Sequence, residues 1–113
     1  MELPNKSNAY ISPSKIVDYL LSETHAVGKS KAKFFRSFGF DETNTAQFEQ
    51  GLIKIALNES VVETTETPYG TKYVIDGELE TPNSVIIRLR TVWIIETGDH
   101  IPRLVTAHPL EQE

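Results

Sequence analysis

A short basic segment that also carries a histidine is the first stretch whose residue types could do chemistry. His25 and Gly28 precede Lys29, Lys31 and Lys33, and the lysines occupy alternate positions. At the start of a helix, such residues can bind an anion, because unpaired backbone N–H groups and the positive end of the helix dipole lie there. Gly28 would let a phosphate approach the backbone. Alternatively, the lysines form only the solvated face of an amphipathic helix.

A second candidate anion site lies on the strongest predicted strand, VIIRLRTVWIIE. Arg88 and Arg90 are two residues apart, so their side chains point to the same face of the strand, with Thr91 next along the chain. A guanidinium group binds phosphate through paired donors. The competing interpretation is an ion pair with an acidic residue of the preceding strand, such as Asp76.

The last predicted strand, RLVTA, supplies a third set of candidates: Arg103, Thr106 and His108. In a regular strand Thr106 and His108 lie on the same face. His108 precedes a proline at the strand end, where a side chain reaches either the edge of a cleft or solvent. His100, in the turn GDHIP, is expected to face solvent.

Several classes of chemistry have no motif in this chain. It contains no cysteine, no HExxH pair, no P-loop and no GxGxxG, so we predict no metal and no cofactor. Cleavage of RNA fits what remains, since the RNA supplies its own 2′-hydroxyl nucleophile. Histidine is suited to the proton transfers near neutral pH. Lysine and arginine are suited to stabilising the charge that develops on the phosphate.

Length and charge set the broad class of the protein. With 113 residues and a formal charge of -5, the chain is predicted to be one soluble, cytoplasmic domain. Residues 1–40 hold six Lys or Arg against three Asp or Glu, whereas residues 41–83 hold two against nine. The acidic total argues against indiscriminate binding of nucleic acid but leaves room for a local basic site.

The order of the periodic segments predicts the fold. Apolar residues recur at helical spacing in SPSKIVDYLLS, KAKFFRSF and TAQFEQGLIKIALN, and alternation with a period of two follows in four segments joined by short turns. We therefore predict an α+β domain with two or three N-terminal helices packed on a four-stranded antiparallel meander. Residues 1–12 are expected to form a flexible arm, 13–109 the domain, and 110–113 a tail.

Two motifs carry a family resemblance. HAVGKSKAKFFRSFGF fits H-x-x-G-x-x-K-A-x-F-F-x-x-x-G-F, and the last two strands contain T-V-W-x-I and P-R-x-V-T-A. Over residues 13–109 the chain resembles a bacterial family of small uncharacterised domains. These occur beside a small partner gene, or at the tips of polymorphic toxins and phage head proteins. That family is similar to the barnase–EndoU–colicin–RelE group of metal-independent ribonucleases. This chain departs from the family pattern at two positions: the family prefers tyrosine where His108 stands and glycine where Ser84 stands.

The resemblance implies an activity, partners and residue roles. The protein would be a metal-independent endoribonuclease, the toxin of a toxin–antitoxin pair, cleaving tRNA or mRNA and binding a small antitoxin or immunity protein. The catalytic residues would be His25 as base or acid, Lys31 and Arg90 on the phosphate, and Thr106 donating to a phosphoryl oxygen. The remaining candidates for the phosphate are Lys29, Lys33, Arg88, Arg103 and Thr91, with His108 as a further candidate. The alternative is a non-catalytic binding or structural module of the same fold.

Overall fold

Three helices, a short 3-10 helix at Lys6–Asn8 and a four-stranded sheet make up the computed structural model, which describes residues 1–26 and 28–110. Helix α1 is an α-helical turn, Pro13–Lys15, that continues as a π-helical turn, Ile16–Leu20. The other helices are α2, Lys29–Ser37, and α3, Thr45–Asn58. The strands are β1 (Val61–Thr67), β2 (Gly70–Glu80), β3 (Ile86–Glu96) and β4 (Arg103–Pro109).

The four strands form one antiparallel sheet in the order β1-β2-β3-β4. The α+β prediction, helices followed by a four-stranded meander, is therefore confirmed. In the register, Arg90 lies opposite Asp76 on β2 and opposite His108 on β4. A bulge interrupts the pairing of β3 with β4. It lies between the pair Val92–Thr106 and the pair Trp93–Leu104.

One face of the sheet packs against the helices and forms the core. Trp93, Leu89 and Ile75 are fully buried on that face, as their alternation along the strands predicts. The helices contribute apolar residues that are also fully buried, among them Phe35, Phe48 and Leu52. The opposite face, which we call the outer face, carries Asp76, Arg88, Arg90, Thr106 and His108.

The first twelve residues pack against the domain, which corrects the expectation of a flexible arm. Leu3 and Ile11 are 2% and 4% exposed and belong to the core. Tyr10 forms a parallel bridge with Arg103, so the segment pairs with the free edge of β4. At the other end Leu110 donates its N–H to the carbonyl of Arg88. Residues 111–113 of the predicted tail lie outside the described residues.

The π-helical turn of α1 determines which of its residues face the core. The N–H of Leu21 donates to the carbonyl of Ile16, five residues earlier, at 2.9 Å. Leu20 and Leu21 are both fully buried, although they are adjacent. Tyr19, immediately before them, is half-buried and packs against the core without being enclosed by it. Single π turns are frequent at functional sites.

The turn between β2 and β3 holds a residue in an unfavourable backbone conformation. Ser84 has φ 69°, the left-handed region that costs an L-residue roughly 1–2 kcal/mol. We expect Ser84→Gly to raise the free energy of unfolding by about 0.5–1 kcal/mol, since glycine removes this cost but adds backbone entropy to the unfolded chain. Urea denaturation measures it, with Thr97→Gly in an exposed turn as the control. A midpoint that stays the same or falls would contradict the prediction.

Candidate functional site

Three of the residues predicted from the sequence meet around one aromatic ring, that of Tyr19. The ring centroid of His25 lies 5.1 Å from that of Tyr19, with the rings edge to face at 85°. Nζ of Lys31 lies 5.6 Å from the Tyr19 centroid, and Oγ1 of Thr106 lies 3.2 Å from Oη of Tyr19. With Lys15, whose Nζ is 4.8 Å from the same centroid, we call these residues the Tyr19 cluster.

The loop between α1 and α2 fixes the orientation of His25. The backbone N–H of His25 donates to Oγ of Ser22 at 3.1 Å, and Nδ1 of its ring accepts the N–H of Gly28 at 3.0 Å. Because Nδ1 is an acceptor, the proton of the neutral ring resides on Nε2. His25 therefore presents Nε2–H as a donor while its ring is neutral.

Gly28 serves the packing of this loop, which differs from the role expected for it. It is buried, and a Cβ at this position would overlap the carbonyl oxygen of Tyr19 and lie 3.1 Å from the Cδ1 atom of its ring. Glycine thus lets the loop lie directly on α1 and brings His25 against Tyr19. The side of Gly28 on which a Cβ would project is packed against α1, so it offers no open space for a phosphate.

The three lysines of α2 divide between two surfaces. Lys31 is half-buried and faces Tyr19, whereas Lys29 and Lys33 are exposed. Lys29 and Lys33 line a shallow pocket with Glu23 and Arg36. Arg36 is paired there with Glu23 at 3.2 Å, and it also pairs with Glu42, so acidic side chains offset part of the positive charge of this pocket. The Tyr19 cluster contains no acidic partner among the contacts that define it.

The surroundings of Tyr19 shift its ionisation. Partial burial raises the pKa of the Tyr19 phenol, whereas a hydrogen bond from the Thr106 hydroxyl and the ammonium groups of Lys31 and Lys15 lower it. The lowering contributions together outweigh burial, so the pKa lies below its usual value. An ammonium over the face of a tyrosine ring, within about 6 Å of the centroid, is also attracted by the π electrons. The phenolate form of Tyr19 is thereby more accessible than that of a tyrosine in water.

The structure places Arg90 outside the Tyr19 cluster. Its Nε and Nη2 donate to the two carboxylate oxygens of Asp76 at 2.8 and 3.0 Å. This is the cross-strand pair that the sequence offered as the alternative to phosphate binding. Arg90 also lies beside His108 on the outer face, and Arg88 lies two residues away along the same face. We call Arg88, Arg90 and His108 the outer strip, which reaches the cluster through Thr106.

Thr91 and Arg103 are not brought to the cluster either. Thr91 is fully buried; its hydroxyl donates to the carbonyl of Ile75 at 2.7 Å and accepts the indole N–H of Trp93 at 2.9 Å. It satisfies polar groups of the core, and we leave it out of the proposed site. Arg103 donates to Glu96 at 2.6 Å, near the far end of β3.

Sequence reasoning missed Tyr19 and Lys15. The signal was present, because residues four apart on a helix are neighbours on its surface and Lys15 and Tyr19 have that spacing. Tyr19 stands among Ile16, Val17, Leu20 and Leu21, so its type and position suggested a core residue. Only the contact with Thr106, 87 residues later, shows that the ring faces the edge of the sheet.

Two features are absent from residues 1–26 and 28–110. Within these ranges no group of three or more His, Asp or Glu side chains is arranged to hold a metal ion. No helix in the same ranges has the length and apolar character needed to cross a membrane.

Comparison with known proteins gives one family and one related fold. The family described as "Domain of unknown function (DUF6883)" matches residues 2–111. No curated protein matches the chain. A chain of the solved "Contact-dependent growth inhibition toxin - immunity protein complex from Klebsiella pneumoniae 342" is similar to it, with a TM-score of 0.72 and 15% identity. The likeness covers 95% of this chain and 97% of that chain, so the two share a fold over nearly their whole lengths.

Proposed function

This chain belongs to the DUF6883 family, and we propose that it is a small metal-independent endoribonuclease that acts as a bacterial toxin on tRNA or mRNA. One observation carries the proposal. His25, Lys31 and Thr106, chosen from the sequence for RNA chemistry, converge on the half-buried ring of Tyr19 from a loop, a helix and a strand.

The Tyr19 cluster holds the groups that cleavage by 2′-hydroxyl attack requires. Lys31 supplies positive charge to a phosphate and His25 donates through Nε2. The hydroxyl of Thr106, 3.2 Å from Oη of Tyr19, donates to that oxygen, so its single proton is not available to a phosphoryl oxygen. Fixed donors aimed at developing charge are worth more than the same groups in water, because they need no reorganisation during the reaction. The cationic groups of the protein would thus stabilise the transition state.

The outer strip would hold the RNA backbone beyond the cleaved bond. Arg88 is exposed, and its side chain forms no hydrogen bond or ion pair with the part of the chain that the structure describes. We expect Arg88→Met to raise KM several-fold with little change in kcat. The variant should also depend less on salt. Each phosphate of a single strand that a protein neutralises adds about 0.7 to the slope of log KM against log salt concentration, so losing one contact should lower that slope by about 0.7.

Steady-state cleavage of a labelled RNA at several salt concentrations measures both quantities for Arg88→Met. Lys54→Met removes an exposed cation from α3, on the helix side of the sheet, and serves as the control. An equal rise in KM for both variants would show that only net charge matters, and would contradict a specific role for the outer strip.

Expression in bacteria tests the proposed toxin activity. Induction of the wild-type chain should arrest growth and fragment tRNA or mRNA, and His25→Ala should abolish both effects. The purified variant should still unfold cooperatively, with a melting temperature only about 4–8 °C lower, because losing the hydrogen bond from Gly28 costs about 1 kcal/mol. Equal toxicity of the wild type and the variant would contradict the assignment of His25. Growth without arrest at full wild-type expression would contradict the toxin function.

A small immunity protein or antitoxin is the partner that this function implies. The related fold was solved in a complex of a toxin with an immunity protein. A partner that covers the Tyr19 cluster would protect the producing cell, and co-expression should then restore growth. Light scattering of the mixed proteins should show a complex of the two.

A second candidate function is a binding module without catalysis. The similarity to the growth inhibition toxin–immunity protein complex also allows this function, because that complex contains two kinds of protein and only one of them is a toxin. A groove between α3 and the β2–β3 end is lined by three glutamates and one lysine, Lys54, and its net negative charge would suit a basic partner. The glutamates are Glu59, Glu78 and Glu80. Intact RNA at stoichiometric protein, together with a stable complex in light scattering, would favour this function over the ribonuclease.

A further inference from the structure

We infer that the phenolate oxygen of Tyr19 is the general base that takes the proton from the 2′-hydroxyl of RNA, while His25 serves as a hydrogen-bond donor. The inference rests on the proposed ribonuclease function and names the base of that site. The Tyr19 oxygen lies 3.2 Å from Oγ1 of Thr106, at the point where α1 meets the edge of the sheet. Tyr19 contacts every other member of the cluster, so it is the group around which the site is built.

The position of Tyr19 suits proton transfer better than packing alone. The ring is half-buried and packs against the core, whose fully buried members include its neighbours Leu20 and Leu21, but its hydroxyl reaches Thr106 of β4. Two ammonium groups, from Lys15 on α1 and Lys31 on α2, approach the ring from different helices. A tyrosine that served only to fill space would need neither the two cations nor a hydroxyl partner.

His25 is poorly placed to act as the base. A base must present an unprotonated nitrogen to the substrate, and in the neutral ring the unprotonated nitrogen is Nδ1, which accepts the N–H of Gly28 at 3.0 Å. Using Nε2 as the base would require the other tautomer, whose Nδ1–H would face the Gly28 N–H. The loop therefore holds His25 in the form that donates through Nε2, and the role of base passes to another group.

The electrostatic environment of Tyr19 agrees with this assignment. Four groups face the phenol: Lys15 from α1, His25 from the loop, Lys31 from α2 and Thr106 from β4. Burial raises the pKa of Tyr19, but the hydrogen bond from Thr106 and the two ammonium groups bring it below its usual value of about 10. A lower pKa increases the fraction of phenolate available near neutral pH.

The reaction balances with the groups of the cluster. The 2′-oxygen gives its proton to the Tyr19 phenolate and forms a bond to phosphorus. The bond from phosphorus to the 5′-oxygen breaks, and that oxygen takes a proton from the Lys31 ammonium. The products are a 2′,3′-cyclic phosphate and a 5′-hydroxyl end. The proton then returns from Tyr19 to Lys31 through water, so that no proton is consumed.

The test compares Tyr19→Phe with the wild type in cleavage of a labelled RNA. Removing a general base should lower kcat at least 100-fold while KM changes little. Tyr69→Phe, at a β-turn where the side chain is 79% exposed, is the matched control and should keep wild-type rates. A Tyr19→Phe rate within fivefold of an active wild type would overturn the inference and leave the proposed function intact. An inactive wild type would overturn both.

A pH profile separates a base from a residue that only positions others. The rising limb of log kcat/KM should reflect Tyr19, and Lys15→Met should move it to higher pH because a cation that lowers the phenol pKa is lost. Alkaline titration of phenolate absorbance should show one early component in the wild type that is missing in Tyr19→Phe. A limb near pH 6.5 that Lys15→Met leaves unchanged would instead identify a histidine and overturn the inference.

Discussion

Replacing Lys31 with methionine is expected to lower RNA cleavage about 1,000-fold, at the upper end of the loss seen when a charge-stabilising donor is removed. Methionine keeps the length of the side chain but lacks its charge and its proton. Lys31 is half-buried and faces Tyr19, whereas the other two lysines of α2 are exposed. The loss should appear in kcat, because the charge it stabilises develops in the transition state.

Two further variants at α2 make the prediction for Lys31 specific. Lys33→Met removes the same charge two residues away, from the exposed side of the helix, and should change the rate less than threefold. Lys31→Arg keeps the charge but does not give up a proton at neutral pH, so it should recover only part of the kcat that Lys31→Met loses. Equal losses for Lys31→Met and Lys33→Met would show that the basic segment acts only through its net charge.

Replacing His25 with asparagine should lower cleavage about 100- to 1,000-fold while the fold is retained. The asparagine side-chain oxygen can take the place of Nδ1 and accept the N–H of Gly28, which keeps the loop in position. The variant lacks any group in the place of Nε2. It therefore separates the donor role of His25 from its role in holding the loop.

His25→Ala provides the comparison with asparagine. Alanine neither donates to the RNA nor accepts the N–H of Gly28. The variant should therefore lose its activity and also about 1 kcal/mol of stability, as when a hydrogen bond to a helix start is removed. Urea denaturation of the two variants measures the difference. Cleavage by His25→Asn at the wild-type rate would show that His25 holds the loop and does not touch the RNA.

The fold followed from the sequence because its signals are local. The change from helical to alternating spacing after Asn58 marks the start of the sheet, and short turns fix the order of the strands. The arm was mispredicted for a related reason. Leu3 and Ile11 are isolated apolar residues in a polar segment, and nothing local indicates that the core has space for them.

The candidate site was less accessible to sequence reasoning, because it depends on contacts between distant parts of the chain. Residue type and motif identified His25, Lys31 and Thr106, yet the residue that joins them, Tyr19, resembles the apolar residues around it. The burial of Thr91 could have been anticipated, since it alternates with Leu89 and Trp93 on the core face. Whether Arg90 binds a phosphate or Asp76 depends on side-chain geometry, and the register alone allows both.

Incubation of the purified protein with total cellular RNA in excess EDTA tests the central claim most directly. The reaction is followed on a gel beside His25→Asn, with the ends of the fragments identified. The account predicts discrete cleavage that survives chelation, leaves 2′,3′-cyclic phosphate and 5′-hydroxyl ends, and is lost in the variant. RNA that stays intact at stoichiometric wild-type protein, or cleavage that EDTA abolishes, would contradict it.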